Sequence, residues 1–413
     1  MSNRQQLTDY FLHGVAASSP RLTLPAVLPR RSAPRGRTIV LGCGKAAAEM
    51  AQVASECLAG PVIGCVVTRH GHNVPNPPAS IEIIEARHPV PDGLSLEAGR
   101  RLLALAAEAG PDDRVIFLVS GGGSALLCAP AEGLSFETKQ AITDWLVRSG
   151  AGIAEINLVR RHLSRIKGGR LAAIAGARGA ELLTCVISDV AGDDPALIAS
   201  GPSIGAPFEP DAAIAILSAA GWNLTPDLVA AIRANAPPEV QQHPVQMLAT
   251  NADALAAISA RAAEDGWQVI DLGGALSGEA AATGRAHGEI ARQYAQKPGR
   301  HLLLSGGELT VVRASATGRG GPNLEYLTGL LGALSPVDPI EAVAGDSDGI
   351  DGTEDNAGGY ISASWADPQA VAQALAANRS YDLFERLGGL IKTGPTRTNV
   401  NDIRMIAVEG PSS

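Results

Sequence analysis

At 413 residues the chain is long enough for two or three domains, and its 46% hydrophobic content with 47 glycines suits an α/β enzyme of short helices and tight loops. A formal net charge of −9, with no lysine- or arginine-rich face, argues against a nucleic-acid partner but leaves room for an anionic small molecule in a local basic pocket. Five cysteines without C-x-x-C spacing argue against a disulfide framework or structural zinc. No signal-like or membrane-length apolar run is present, so the expectation is a soluble, cytoplasmic protein without a membrane partner.

In chain order, residues 1–36 read as a short amphipathic segment followed by a Pro/Arg-rich arm or loop. Strands are expected at Thr38–Leu41, Val62–Thr68, Ile81–Glu85, Val115–Val119 and Leu182–Ser188. Helices are expected from the alanine-rich stretch ending near Leu58, from an N-cap at Ser95 to Ala109, and over Phe136–Ser149 and Ile153–Arg165. The polar, proline-rich tract 236–244 reads as a linker. Beyond it the alternation restarts with strand Val245–Thr250, a helix from Ala252, strand Gln268–Leu272, helix Glu279–Gln296 and strand His301–Ser305. A hairpin partner at Glu308–Arg313, a helix near Asn323–Leu334 and strand Ala342–Gly345 complete the pattern. Alternating strands and helices predict a mostly parallel layered sheet in a domain over 1–235 and a second α/β domain over 245–413.

The motifs fall where such sheets bind ligands, at the carboxyl ends of strands. The buried run Val115–Val119 stops at Ser120-Gly121-Gly122-Gly123-Ser124, whose glycines let backbone N–H groups approach a ligand. A weaker echo, Ser305-Gly306-Gly307-Glu308, follows His301–Leu304. Gly42-Cys43-Gly44-Lys45-Ala46-Ala47 satisfies the G-x-G-x-x-G/A dinucleotide fingerprint. The acidic residue expected after the second strand is replaced by Arg69, which suits a 2′-phosphate, so an NADPH site stands as an alternative. Lys45 suits phosphate equally well. Arg161, Arg165, Lys167 and Arg170 concentrate positive charge around Gly168-Gly169, and Arg161 and Arg165 are spaced to share a helical face. Two aspartate-rich loops, with Asp189, Asp193 and Asp194 in one and Asp346, Asp348 and Asp351 in the other, carry the hard oxygen ligands that Mg²⁺ takes. Arg319, among the glycines 318–321, is placed to neutralise charge that develops in phosphoryl transfer. The loop Thr393–Asp402 caps the fold or lines a cleft. No nucleophile elbow, H-E-x-x-H or full Walker A sequence is present.

Read in register, GCGKAAAEMA, HPVPDG, VSGGGSALL, RRHLSRIKGGRLA, SDVAGDDPALIASGP, LSGGELTV, GRGG, GDSDGIDG and TGPTRTNVND resemble the glycerate 2-kinase family, the class II glycerate kinases with a C-terminal MOFRL domain. The resemblance implies a Rossmann-like N-terminal domain and a smaller MOFRL-type α/β domain with the active site in the cleft between them. It also implies Mg²⁺- and ATP-dependent phosphorylation of D-glycerate at its 2-hydroxyl. A homodimer stands beside it as a candidate assembly. Carried over, Lys45 and Arg319 would stabilise the transferring group. Gly42, Gly44, Ser120 to Ser124, Arg161, Lys167, Gly306 and Gly307 would cradle phosphates or the glycerate carboxylate. Asp189 or Asp193, with Asp346, Asp348 or Asp351, would hold the metal or accept the hydroxyl proton. Of these, Asp189 is assigned as the base, and Asp193, Asp346, Asp348 and Asp351 as the metal set. Pro322 and Leu324 stand where the family carries arginine and glutamine. The rival readings are an NADPH-dependent hydroxypyruvate reductase and a non-catalytic glycerate or sugar-phosphate sensor.

Overall fold

The computed structural model describes residues 2–29, 32–312 and 318–411. Two compact units emerge, one of Pro20–Ser188 with Asp193–Leu248, the other of Met1–Ser19, Asp189–Gly192 and Ala249–Ser413.

The first unit is built on β1 (Thr38–Cys43), β2 (Val62–Arg69), β3 (Ile81–Ala86), β4 (Arg114–Val119), β5 (Glu181–Ile187) and β6 (Val245–Ala249), in spatial order β3-β2-β1-β4-β5-β6. The pairs β2–β3, β1–β2, β1–β4 and β4–β5 are parallel. Strands β1 and β4 are buried along their full length, which is why they read as unbroken apolar runs. Order reverses between them: β1 leads outward to β2 and β3, β4 to β5 and β6. The carboxyl ends of β1 and β4 therefore flank the topological switch point, where open α/β sheets form a ligand crevice.

The second unit orders its strands β11-β10-β9-β12-β8-β7, with β7 at Gln268–Asp271, β8 at Arg300–Gly307, β9 at Ile340–Asp346, β10 at Gly358–Ser362, β11 at Leu390–Ile391 and β12 at Asp402–Glu409. Only β7–β8 is parallel; β8–β12, β12–β9, β9–β10 and β10–β11 are antiparallel. Its core joins Leu324, Leu327 and Leu330 of the helix Pro322–Leu331 to Ile361, Phe384 and Ile406.

Several sequence expectations shift. The Pro/Arg-rich arm contains a short helix at Pro20–Val27: Pro20 opens it, where a missing N–H costs little, and Pro25 lies inside it. Asp92, not Ser95, caps the helix Gly93–Glu108; Ser95 returns a hydrogen bond from the third position in a capping box. Strand β6 closes the edge of the first sheet instead of opening the second domain, and residues 236–244 stay within the first unit. Gln241 Nε2 donates to the Gly176 carbonyl there, and His243 Nε2 lies 2.9 Å from Thr184 Oγ1. The helix Asn3–Ala17 belongs to the second unit: Phe11 is fully buried against Gly345, and Gly14 abuts Ile258. Residues 308–312 form no strand, and the rest of that expected hairpin partner, Arg313, lies outside the described residues.

Candidate active site

Two turns meet at the switch point. Gly44 follows β1 with φ 124°, and a Cβ there would strike both the Oγ and the carbonyl of Ser120, so only glycine permits the approach. Gly44 N donates to Val67 O, Lys45 N to Gly121 O at 2.9 Å, and Ala46 N to Ser120 Oγ at 3.1 Å. The glycine fingerprint thus locks one turn against its neighbour, and its amides are committed inside the protein. Ser120 is wholly buried and serves the start of the helix Ala47–Cys57, not a ligand.

The tip of the second turn is different. Among the described residues, the amides of Gly121, Gly122 and Ser124 have no acceptor within the chain. Gly122 is left-handed at φ 79°, and a Cβ there would lie 3.2 Å from Lys45 Cγ and from the His88 ring. Amides turned outward beside an ammonium stem and an imidazole make an anion-binding concavity.

A third loop, Ala199-Ser200-Gly201, packs behind the tip. All three residues are left-handed, at φ 53°, 61° and 62°. Non-glycine residues hold that conformation at a cost of about 1–3 kcal/mol each only when their surroundings impose it. Here Lys167 Nζ donates to Ala199 O, Gly168 N to Ser200 O and Gly169 N to Gly201 O. Ser200 Oγ donates to Asn157 Oδ1 at 3.1 Å and lies 2.7 Å from Ser124 Oγ. Lys167 is therefore a buried strut of this loop rather than a phosphate ligand, and burial pushes its ammonium down to about 7. Arg161 keeps a buried Nε without a partner, and burial lowers the pKa of both Arg160 and Arg161. Arg165 does not share their face: the helix ends at His162, and the exposed Arg165 donates to Pro130 O.

The second unit treats its candidates differently. Gly306 and Gly307 end β8 in pairing with β12. Gly306 N donates to Gly273 O, and the two carbonyls accept from the buried guanidinium of Arg404, which is itself paired with Asp402. This echo of the glycine turn is a strand end, not an open cradle. Asp351 is buried and receives Asn323 N at 2.9 Å and Leu324 N at 3.0 Å, capping the helix Pro322–Leu331; burial pushes its carboxyl up to about 7 against those donors. Asp346 Oδ1 accepts from Asp348 N, and the buried Asp348 accepts from Ile350 N, so both organise the loop's own turns. Asp189 accepts from Asn399 Nδ2 at 3.1 Å, and its carbonyl accepts from Asn401 Nδ2. Arg319 is exposed, forms ion pairs with Glu354 at 3.0 Å and Asp382 at 3.2 Å, and lies over the Tyr381 ring. Asp193, in the first unit, is left-handed at φ 54° and half-buried.

Among the described residues, no three His, Cys, Asp or Glu side chains gather as metal ligands. Asp189, Asp193 and Asp346 keep partly exposed carboxylates, whereas Asp348 and Asp351 are enclosed. Sequence reasoning did not single out His88, Asn157 or Ser200. His88 lay inside a quoted motif, but only the folded turn brings it to Gly122.

Family models match residues 6–234 (domain of unknown function DUF4147) and 301–402 (MOFRL family). The chain is 42% identical, over 99% of its length and 95% of the relative's, to an Agrobacterium vitis protein assigned provisionally as a hydroxypyruvate reductase. It is 36% identical to the D-glycerate 2-kinase of Thermotoga maritima, with 89% of each chain covered. The glycerate 2-kinase of Pyrococcus horikoshii is also 36% identical, over 89% of this chain and 87% of its own. The crystal structure of a Thermotoga maritima glycerate kinase superposes with a TM-score of 0.86 at 33% identity, covering 98% of this chain and 99% of that one.

Proposed function

We propose that this chain, which belongs to the glycerate 2-kinase family, transfers the γ-phosphoryl group of ATP to the 2-hydroxyl of D-glycerate, giving 2-phospho-D-glycerate. The observation that carries the reading is the switch-point turn Gly121–Ser124, with three outward amides beside Lys45, in a chain that aligns along most of its length with two glycerate 2-kinases. Phosphoryl transfer asks little covalent chemistry of a protein; it asks for position and charge neutralisation, which fixed amides and an ammonium supply. The outward amides hold an anionic group of a substrate, and Lys45 neutralises charge on the phosphoryl oxygens. Mg²⁺, when bound with ATP, would supply further neutralisation of phosphate charge, with Asp189, Asp193 or Asp346 as the carboxylates that would hold it. Asp189, as the group receiving the hydroxyl proton, and Asp193, Asp346 and Arg319 enter the proposal as groups to be tested one by one by substitution. A homodimer in the cytoplasm is the assembly and location that fit a small-molecule kinase of this kind.

The name of the Agrobacterium vitis relative favours a second reading, an NADPH-dependent hydroxypyruvate reductase. Against it stands the first glycine turn: a dinucleotide pyrophosphate needs those amides, and here Gly44, Lys45 and Ala46 direct theirs to Val67, Gly121 and Ser120. The test is ADP release on adding D-glycerate to enzyme, ATP and Mg²⁺. The kinase reading expects release that stops with chelator. NADPH oxidation by hydroxypyruvate in metal-free buffer, without ADP release, would favour the reductase.

A further inference from the structure

The hydroxyl chain behind the glycine turn has a fixed direction. Asn157 is buried, and its Oδ1 accepts from Ser200 Oγ. A serine hydroxyl has one proton. Ser200 has given its proton to Asn157, so at 2.7 Å it can only accept from Ser124 Oγ. The proton of Ser124 is therefore turned toward Ser200, and on this partly exposed residue the oxygen offers a ligand lone pairs alone. Ser200 is not free to rotate this arrangement away: it is 1% exposed, and its left-handed backbone is held by Gly168 N on its carbonyl and by Lys167 on the preceding one.

We infer that Ser124 is a specificity-determining residue that reads a free hydroxyl on the acceptor substrate; this rests on the kinase reading. A phosphate or ionised carboxylate offers only acceptors and would be repelled by those lone pairs. The same residue's backbone amide, with those of Gly121 and Gly122, offers the opposite polarity on the same turn. A ligand satisfying both carries an anionic group and a hydroxyl on a short carbon frame. In D-glycerate the 2-hydroxyl is the reacting group, which leaves the 3-hydroxyl as the donor to Ser124 Oγ and the carboxylate for the amides. The site would then discriminate against an acid of the same frame without that hydroxyl. Sites built to hydrogen-bond a substrate hydroxyl reject analogues lacking it strongly, because the protein partner is left unpaired.

The experiment compares KM for D-glycerate with the inhibition constant of D-lactate, the same acid without the 3-hydroxyl, in the full-length protein. In the parent, D-lactate should bind at least tenfold more weakly than D-glycerate. Ser124→Ala should raise KM for D-glycerate about tenfold or more while kcat falls less, and the preference over D-lactate should collapse toward unity. Ser200→Gly removes the acceptor of the Ser124 proton while suiting the left-handed backbone. The relief of left-handed strain offsets part of the lost hydrogen bond to Asn157, so the variant should stay folded and also erode the preference. Asn157→Asp retains an acceptor for Ser200 and should preserve it. A parent that releases ADP with D-glycerate but whose two serine variants keep the full preference would overturn the role of Ser124 alone. A parent inactive on D-glycerate would overturn the kinase reading and this assignment with it.

Discussion

Replacing Lys45 by alanine should lower kcat for D-glycerate phosphorylation by roughly 10²-fold or more, at a few kcal/mol for a lost transition-state contact. Its stem runs beside the left-handed Gly122 and outside the core, so the melting temperature should hardly move. Steady-state kinetics beside thermal melts check both; near-parental kcat in a folded variant would remove Lys45 from the mechanism. Arg319 makes a sharper case, because Glu354 and Asp382 already occupy its guanidinium. If it acts on the phosphoryl group, Arg319→Ala should lose activity and Arg319→Lys should recover only part, since an ammonium lacks the planar two-pronged contact. Full activity in Arg319→Ala would leave it a surface ion-pair residue. Lys167 gives a pH signature. Burial lowers its folded pKa to about 7 from 10.5, so between those values the unfolded chain binds more protons than the folded one. Stability from this group therefore rises with pH from about 7 toward 10. Lys167→Met should flatten that rise in melts taken across the same range; an unchanged slope would contradict the buried charge. At this scale the sequence showed which side chains to suspect, and the glycine turn and Lys45 were legible. The sorting of Lys167 and Asp351 into buried structural roles was not, because burial is decided by distant segments.

The helix Pro322–Leu331 starts on a glycine that has no side chain to cap it, and Asp351 supplies the cap from another loop. Asp351→Ala should cost about 1–3 kcal/mol, the penalty for leaving buried amides without an acceptor, and should lower the melting temperature by several degrees. A melt unchanged from the parent would show that water or a neighbour replaces the carboxylate. Strand positions were the legible part: β1, β2, β4, β5 and β8 stood out as largely apolar runs bounded by turn residues, and β3 as a strand with glutamates set among its isoleucines. What escaped were elements defined by partners. Strand β12, the sequence DIRMIAVE, lies between β9 and β8 although its Arg404 breaks the apolar pattern; the arginine is tolerated because Asp402 and two carbonyls satisfy it. The second glycine turn resembled the first by composition, but strand pairing occupies the backbone that the first turn leaves open.

Across the whole molecule, the two-sheet α/β architecture was legible from alternation, whereas its partition was not. A proline-rich tract looks like a linker whether or not it is pinned, and nothing in residues 1–19 announces that they serve the second unit. The chain passes between the units more than once, so the fragment 245–413 should melt without cooperativity, lacking the helix that buries Phe11. Supplying residues 1–19 should restore a cooperative transition, as followed by circular dichroism; a cooperative melt of 245–413 alone would contradict the assignment of that helix. The central claim, phosphoryl transfer to the 2-hydroxyl, is tested most directly by phosphorus NMR of the product formed from ATP, Mg²⁺ and D-glycerate. The account predicts a new monoester resonance coupled to the single C2 proton, absent when chelator is added. A resonance coupled to the two C3 protons, or no phosphorylated product from a folded protein, would contradict it.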